Sequence, residues 1–281
     1  MVYKRKSYKG GKDMEKTKRF IKTFLIIIGF LIFNIFIDAI VGLFVPGFIS
    51  NIKTGDILNS KDFAAYGILA GQILKMIILT FFIKKRNKAF VAKLNRRYIQ
   101  MEKIDKPIKL VGVGLGTVGF GIMFTNIITK VFAGSELLKS ANDLMESVFK
   151  VNGPLDGIII IFAVVFGAPI VEEILFRGVL FEELKKETSL KMTIFLTALV
   201  FGIYHFNILQ TPNTFFMGLV LGYVYYKTKS IKSSIIVHAV NNSFVMVPIL
   251  DQGLSPIGIV MYVALISIGL YSLKNLNKKT I

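Results

Sequence analysis

The run from Gly157 to Phe181 is apolar over its whole length except for three ionisable side chains in its middle, Glu172, Glu173 and Arg177. A charged side chain at the centre of a membrane helix costs roughly 2.5–3.5 kcal/mol even on the milder insertion scales. Two further apolar runs each contain one histidine, His205 and His238, and these are the only 2 histidines of the chain. Ionisable residues repeated at such positions indicate a polar site inside a membrane.

The composition supports a membrane interpretation. Hydrophobic residues make up 53% of the chain and the mean hydropathy is +0.62, whereas soluble domains contain about 45–50% apolar residues. The apolar residues occur in blocks long enough to cross a bilayer. We therefore predict an all-α fold, a polytopic membrane bundle of about eight transmembrane helices. The predicted spans are 20–45, 63–83, 109–132, 157–181, 192–209, 213–226, 233–250 and 256–273.

The net charge of +18 predicts orientation. Most Lys and Arg residues fall in segments on one side of the eight spans. By the positive-inside rule that side is cytoplasmic, and both termini lie on it. We expect a multi-pass protein of the cell membrane whose basic face contacts anionic membrane lipids. No basic module with interleaved aromatic residues is present, so no nucleic-acid partner is expected. The residues on the other side or within spans are Lys53, Lys61, Lys75, Lys130, Lys139, Lys150 and Arg177.

The chain divides into four segments. Residues 1–19 form a basic cytoplasmic tail, and residues 20–154 contain the N-terminal spans with a basic connection. Residues 155–250 form the core that contains the ionisable residues of the spans, and residues 251–281 the last span with a basic tail. The connection from Lys84 to Arg97 is predicted as a surface amphipathic helix or a solvated loop. The first apolar run is longer than a signal-peptide core, which favours a retained span.

A match to the dinucleotide-binding pattern GxGxxG begins at Gly114 and ends at Gly119. That pattern is meaningful only between a strand and a helix of a soluble βαβ unit, and here it lies within an apolar run. Small residues four apart, such as Gly112 and Gly116, instead allow two membrane helices to approach closely. We interpret the glycines as packing residues.

The two adjacent glutamates are predicted to have different roles. Neighbouring residues of a helix lie about 100° apart, so Glu172 and Glu173 face different directions. Arg177 follows Glu173 by four residues, the spacing that suits an ion pair within a helix. That pair leaves Glu172 free to face a cavity. Pro169 removes a backbone donor and is expected to kink the helix or frame the site.

Each histidine shares a helix face with a second residue of its run, because Phe201 precedes His205 by four and Asn242 follows His238 by four. The predicted spans place Glu172 and the two histidines at different depths of the bilayer, about 10–20 Å from the inner boundary. The sequence leaves open whether these groups meet. Lys75 is interpreted as reaching for the inner boundary with its amine.

Three motifs resemble signatures of the CPBP family of intramembrane proteases, which includes the CAAX prenyl endopeptidases and the Abi, or bacteriocin-immunity, proteins. Residues 172–177 resemble the EExxxR signature, residues 201–205 the FxxxH signature and residues 238–242 the HxxxN signature. The motifs occur in the family order within about 155–250.

The resemblance implies a hydrolase that cuts a peptide bond in a membrane-associated peptide or protein. It implies that Glu172 and His205 activate water and that His238 and Asn242 stabilise the oxyanion. Glu173, Arg177 and Phe201 would support the site. The resemblance favours a mechanism without a cofactor, and a zinc site formed by Glu172, His205 and His238 is the alternative.

Two other functions remain open. The fold is also compatible with a non-catalytic immunity or scaffold protein, and buried Glu and His residues also occur in proton- or ion-coupled transporters. No internal repeat typical of transporters is evident. The richness in Lys, Ile and Asn indicates an AT-rich genome, and with the Abi-type resemblance a bacterial source is expected. The sequence does not identify the substrate or show whether it is prenylated.

Overall fold

The computed structural model describes residues 8–84, 106–151 and 153–276, and the regular structure of these ranges is helical. Short 3₁₀ helices cover Ile57–Phe63 and Pro248–Leu250. The longer helices are α1 (Tyr8–Thr54), α2 (Ala64–Lys84), α3 (Pro107–Val131), α4 (Glu136–Val148), α5 (Pro154–Glu187), α6 (Leu190–Tyr204), α7 (Gln210–Thr228), α8 (Ile231–Val245) and α9 (Pro256–Lys274).

Each of the eight predicted spans overlaps one of these helices, and the all-α, multi-pass architecture is confirmed. The predicted spans 192–209 and 233–250 are too long, because α6 ends at Tyr204 and α8 at Val245. Among the described residues, four helical stretches are long and apolar enough to cross a bilayer alone, namely 14–54 of α1, and α3, α5 and α9. A count of eight spans stays a prediction. The amphipathic helix predicted from Lys84 to Arg97 lies almost entirely outside the described residues.

The glycines of α3 are packing residues, as interpreted from the sequence. A Cβ atom built on Gly116 would lie 2.5 Å from the Cα atom of Gly269 on α9. One built on Gly112 would lie 2.2 Å from Oγ of Ser272, one turn further along α9. The two helices approach so closely that larger side chains would collide, which excludes a phosphate-binding loop at this position.

Lys75 does not reach for the membrane boundary, contrary to the expectation from its position. Its side chain on α2 is 4% exposed, and its Nζ atom lies 2.7 Å from the carboxylate of Asp38 on α1. The same amine lies 2.6 Å from the hydroxyl of Tyr204 on α6, which also donates to Asp38. An opposite charge within reach stabilises a buried amine, so the lysine stays inside the bundle. These three residues connect the N-terminal helices to α6.

Helix α5 is irregular on both sides of its two glutamates. It changes from α to π geometry at Phe162–Gly167, returns to α at Ala168–Glu173, and is again π-helical at Ile174–Leu180. Wider turns of this kind rotate side chains relative to an ideal helix and are frequent at functional sites. The first π segment ends just before Pro169, whose ring would crowd the preceding turn of a regular α-helix.

Candidate active site

Glu173 and Arg177 form a fully buried ion pair on α5, at the spacing predicted from the sequence. The Nη1 atom of Arg177 lies 2.9 Å from Oε1 of Glu173, and both side chains are 0% exposed. The Nη2 atom of Arg177 donates to the backbone carbonyl of Gly218 on α7 at 3.2 Å. Mutual neutralisation makes two buried charges tolerable in this core.

His238 on α8 joins the same carboxylate, a contact that the sequence did not indicate. Its Nδ1 atom lies 3.0 Å from Oε1 of Glu173. A carboxylate that already accepts from Arg177 can only accept again, so Nδ1 of His238 carries the hydrogen. The opposite ring nitrogen, Nε2, lies 3.9 Å from Oε2 of Glu172. The two adjacent glutamates therefore lie on opposite sides of one imidazole.

Phe201 on α6 lies at the centre of the site. Its ring faces the guanidinium of Arg177, with the carbon atom of that group 4.8 Å from the ring centroid. The ring also makes edge contacts with the imidazoles of His205 and His238, at centroid separations of 5.0 and 5.8 Å. A guanidinium over an aromatic face is stabilised by the ring quadrupole. Phe201 thus fixes the relative positions of three polar side chains.

His205 lies at the end of a helix and not within it. The predicted span 192–209 extends past Tyr204, the last residue of α6, and the next residue after His205 has a positive φ of 46°. The Nδ1 atom of His205 lies 2.8 Å from the backbone carbonyl oxygen of Phe201. Because a carbonyl only accepts, Nδ1 carries the hydrogen and Nε2 of the neutral ring is an acceptor. Non-helical backbone is tolerated at membrane depth where it lines a cavity.

Asn242 on α8 bonds to the backbone of α5. In the first π segment the N–H of Ala168 donates to the carbonyl of Ala163, five residues earlier. The same pattern would pair the carbonyl of Val164 with residue 169, which is a proline and has no N–H. The side-chain amide of Asn242 supplies the missing donor, at 2.9 Å. This contact holds α8 against the turn that precedes Glu172.

The four side chains that the sequence predicts as catalytic line one cavity of about 670 Å³. They come from α5, the end of α6 and α8, and they are Glu172, His205, His238 and Asn242. The cavity therefore brings together side chains for which the sequence predicted different depths. The side chain of Glu172 is 17% exposed, and its Oε2 atom has no hydrogen-bond partner among the described residues.

The zinc alternative has weaker geometric support. No group of three His, Cys, Asp or Glu side chains within the described ranges is arranged to hold a metal ion. The contact of His238 Nδ1 with Glu173 is one that zinc-binding histidines also make. Its Nε2 atom lies 3.9 Å from Oε2 of Glu172, whereas two ligand atoms of one tetrahedral zinc ion lie about 3.3 Å apart.

Sequence reasoning missed three residues that hold the site. Tyr204 packs against the imidazole of His205, with centroids 5.7 Å apart, and bonds to Lys75 and Asp38. Gly218 accepts from Arg177. The sequence pattern did not mark Tyr204 or Gly218 as site residues, because an aromatic or glycine residue in an apolar helix is ordinarily a packing residue. The third, Gln72 on α2, donates to the carbonyl of Ala163 at 3.0 Å.

Comparison with known proteins agrees with the three motifs. Residues 154–244 match the family model of the type II CAAX prenyl endopeptidase, Rce1-like. The chain is 25% identical over 161 residues to the "Membrane-embedded CAAX protease MroQ" of Staphylococcus aureus, a match that covers 55% of this chain and 62% of that protein. No solved structure matches the chain significantly.

A second relative supports the same segment. The chain is 32% identical over 79 residues to the "Putative membrane peptidase YdiL" of Bacillus subtilis, covering 28% of this chain and 32% of that protein. The matched part therefore spans less than two thirds of the length of either relative. Together with the EExxxR, FxxxH and HxxxN residues, these matches show that the segment 154–244 is similar to the Rce1-like proteases of the CPBP family.

Proposed function

We propose that this protein is an intramembrane endopeptidase that hydrolyses a peptide bond in a membrane-associated peptide or protein. The single observation that carries the proposal is the convergence of Glu172, His205 and His238 on one membrane-embedded cavity. Burying three ionisable groups around a cavity costs free energy that packing alone does not require. Within a segment that is similar to a protease family, hydrolysis is the function that uses all three.

Glu172 is the proposed general base. Its neighbour Glu173 is fully buried and accepts from Arg177 and His238 through Oε1. Glu172 is 17% exposed and lines the cavity, and its Oε2 atom has no hydrogen-bond partner among the described residues. A carboxylate with an open acceptor position facing a cavity can bind a water molecule and remove its proton. The pair of glutamates thus divides into one structural and one reactive group.

His205 is the proposed second hydrogen-bond acceptor for that water molecule. Its Nδ1 hydrogen is held by the backbone carbonyl of Phe201, which leaves Nε2 as the acceptor of the neutral ring. A water molecule that donates one hydrogen to Glu172 and the other to His205 is held in one orientation, which fixes the direction of the lone pair on its oxygen. Positioning of this kind contributes to the rate by holding the nucleophile ready for attack.

His238 and Asn242 are the proposed oxyanion donors. Because Nδ1 of His238 donates to Glu173, Nε2 is a donor in the imidazolium form of the ring, which has a carboxylate on each side. The amide of Asn242 uses one N–H for the carbonyl of Val164 and has a second N–H. Donors in a site that excludes water stabilise developing negative charge more strongly than donors in solution.

The proposed reaction consumes one water per peptide bond. Glu172 takes a proton as the water oxygen attacks the carbonyl carbon, and the carbonyl oxygen becomes the oxyanion. The carbon–nitrogen bond then breaks, and the proton on Glu172 passes to the leaving amine. The second proton of the water stays on the new carboxylic acid and then passes to the amine, so the products are a carboxylate and an ammonium group. The enzyme returns to its starting state without an oxidant or a reductant.

A matched pair of variants tests the proposal. Glu172→Gln keeps the shape of the side chain and removes its basicity, so cleavage of a membrane-peptide pool should fall about 10²-fold or more. Glu183→Gln makes the same change at a surface ion pair of the same helix and should have almost no effect. Products are counted by mass spectrometry after reconstitution in lipid. If Glu172→Gln retains more than about a tenth of wild-type cleavage, the assignment of the base fails.

A further inference from the structure

His205 lies in the connection between α6 and α7, residues 205–209, which consists of turns and irregular backbone. The next residue, Phe206, has a positive φ of 46°, and it is 65% exposed. A non-glycine residue in this conformation is strained, and the strain persists only where the surrounding structure imposes it. Because the exposed ring of Phe206 contributes little packing, residues on either side must hold this backbone in place.

Tyr204 holds the connection at its start. Its hydroxyl accepts from Nζ of Lys75 on α2 at 2.6 Å and donates to the carboxylate of Asp38 on α1. Hydrogen bonds to charged groups are about twice as strong as those between neutral groups. The ring that these bonds fix packs against the imidazole of His205, with centroids 5.7 Å apart and the two planes at 80°. The position of the imidazole therefore depends on α1 and α2.

Asn207 holds the connection two residues after His205, and it is 4% exposed. Its side-chain oxygen accepts from the backbone N–H groups of Leu209 and Gln210, at 2.9 and 3.2 Å, where α7 begins. Its side-chain nitrogen donates to the backbone carbonyl of Ala141 on α4 at 3.0 Å. One buried amide thus connects this backbone to two helices.

The hydrogen bond of His205 itself does not set its distance from Glu172. The Nδ1 atom lies 2.8 Å from the carbonyl oxygen of Phe201, and that bond fixes the tautomer. Both of its partners belong to one continuous segment, however, whereas Glu172 lies on α5. Contacts with other helices set the distance, and Tyr204 and Asn207 make them on either side of His205. A reacting group displaced by about 1 Å can lose about 10²-fold in rate.

The helices that supply these contacts lie before the segment 154–244, which matches the protease family. We propose that Tyr204 and Asn207 are positioning residues, through which α1, α2 and α4 hold His205 at its working distance from Glu172. The inference rests on the proposed peptidase function and extends the site to helices outside the matched segment. The residues that the two side chains reach there are Asp38, Lys75 and Ala141.

Histidine spectroscopy tests the proposal without an activity assay. The chain has only 2 histidines, so labelling their ring nitrogens gives two sets of magnetic resonance signals from the full chain in lipid nanodiscs, and His205→Gln assigns them. Tyr204→Phe removes only a hydroxyl and should shift or broaden the His205 signals, while those of His238 stay in place. Asn207→Ser keeps a capping oxygen but is too short to reach Ala141, and it should act in the same way.

Tyr225→Phe is the matched control. Tyr225 is also a buried tyrosine whose hydroxyl donates to a carboxylate, that of Glu182 at 3.0 Å. Neither residue of this pair is among the described residues that line the cavity. The control should lose thermal stability to a similar extent as Tyr204→Phe and leave the signals of both histidines unchanged.

Kinetics provide a second measurement, on a peptide that the wild-type protein cleaves. Tyr204→Phe and Asn207→Ser should each lower kcat about tenfold or more, because the attacking water is held less well. KM should stay within about twofold, since neither side chain is among the described residues that line the cavity. Tyr225→Phe should leave kcat and KM unchanged.

The outcomes separate this proposal from the peptidase function. Unchanged His205 signals in folded Tyr204→Phe or Asn207→Ser would overturn it, and either variant decides the question if the other fails to fold. An equal change in Tyr225→Phe would also overturn it, because a general loss of stability would then explain the effect. A raised KM at unchanged kcat would contradict a positioning role. Shifted His205 signals in a protein whose wild type cleaves no peptide would overturn the peptidase function and leave the anchoring of His205 standing.

Discussion

The Nδ1 atom of His238 lies 3.0 Å from the same oxygen of Glu173 that pairs with Arg177. This cluster joins three helices: Glu173 and Arg177 lie on α5, His238 lies on α8, and Arg177 also bonds to the backbone of α7. The consequence is a division of labour between adjacent carboxylates. Glu173 fixes the orientation of an imidazole, and Glu172 on the other side of that ring faces the cavity.

Glu173→Gln is expected to damage stability more than Glu172→Gln, and Glu172→Gln to damage cleavage more than Glu173→Gln. An amide at position 173 leaves Arg177 buried without a countercharge, a loss of about 3–5 kcal/mol. Its oxygen can still accept from His238, so part of the activity should survive. Thermal unfolding in detergent and cleavage are measured on both variants. The same ranking of the two variants in both assays would contradict the division of labour.

Lys75→Met is expected to destabilise the protein, because it removes the buried amine that bonds to both Asp38 and Tyr204. Breaking a fully buried pair costs about 3–5 kcal/mol, and because the side chain of Asp38 is 40% exposed the loss here should be smaller, about 1–3 kcal/mol. Lys150→Met is the matched control, since it removes an ion pair with Asp62 that is partly exposed and worth about 0–1 kcal/mol. Unfolding is followed by heat or denaturant in detergent. Similar losses in the two variants would refute a structural role for the buried triad.

Single cysteines should report the predicted orientation. The chain contains 0 cysteines, so any label identifies the introduced residue. A cysteine at Lys88 should react with a membrane-impermeant thiol reagent only from the cytoplasmic side, and one at Ser140 only from outside. Lys88 lies outside the described residues, and Ser140 is exposed on α4. Labelling of both positions from one side would rule out the eight-span arrangement.

Removal of metal is expected to leave the activity intact. If Glu172 and His205 activate water directly, prolonged phenanthroline treatment should not inhibit, and elemental analysis should find well under one metal ion per chain. Stoichiometric zinc that disappears together with activity in His205→Ala and His238→Ala would establish the alternative. Glu172, His205 and His238 would then be ligands, and the peptidase function itself would stand.

The sequence by itself determined the fold class and the location of the site. Long apolar runs require helices in a membrane, because every backbone polar group must bond within its own segment there. Ionisable residues in such runs are costly, which marked Glu172, Glu173, Arg177 and the two histidines. The four-residue spacing from Glu173 to Arg177 also predicted their ion pair, because that spacing places both side chains on one helix face.

Only the tertiary structure decided which groups meet. The contact between Glu173 and His238 joins residues 65 positions apart, and no periodicity within one helix encodes it. The end of α6 at Tyr204 and the π segments of α5 shift residues by fractions of a turn, which hydropathy does not detect. Lys75 is paired and not extended to the boundary, because a carboxylate from another helix lies beside it. Pairing between helices is a property of packing, and it decides which of the two neighbouring carboxylates is buried in an ion pair and which faces the cavity.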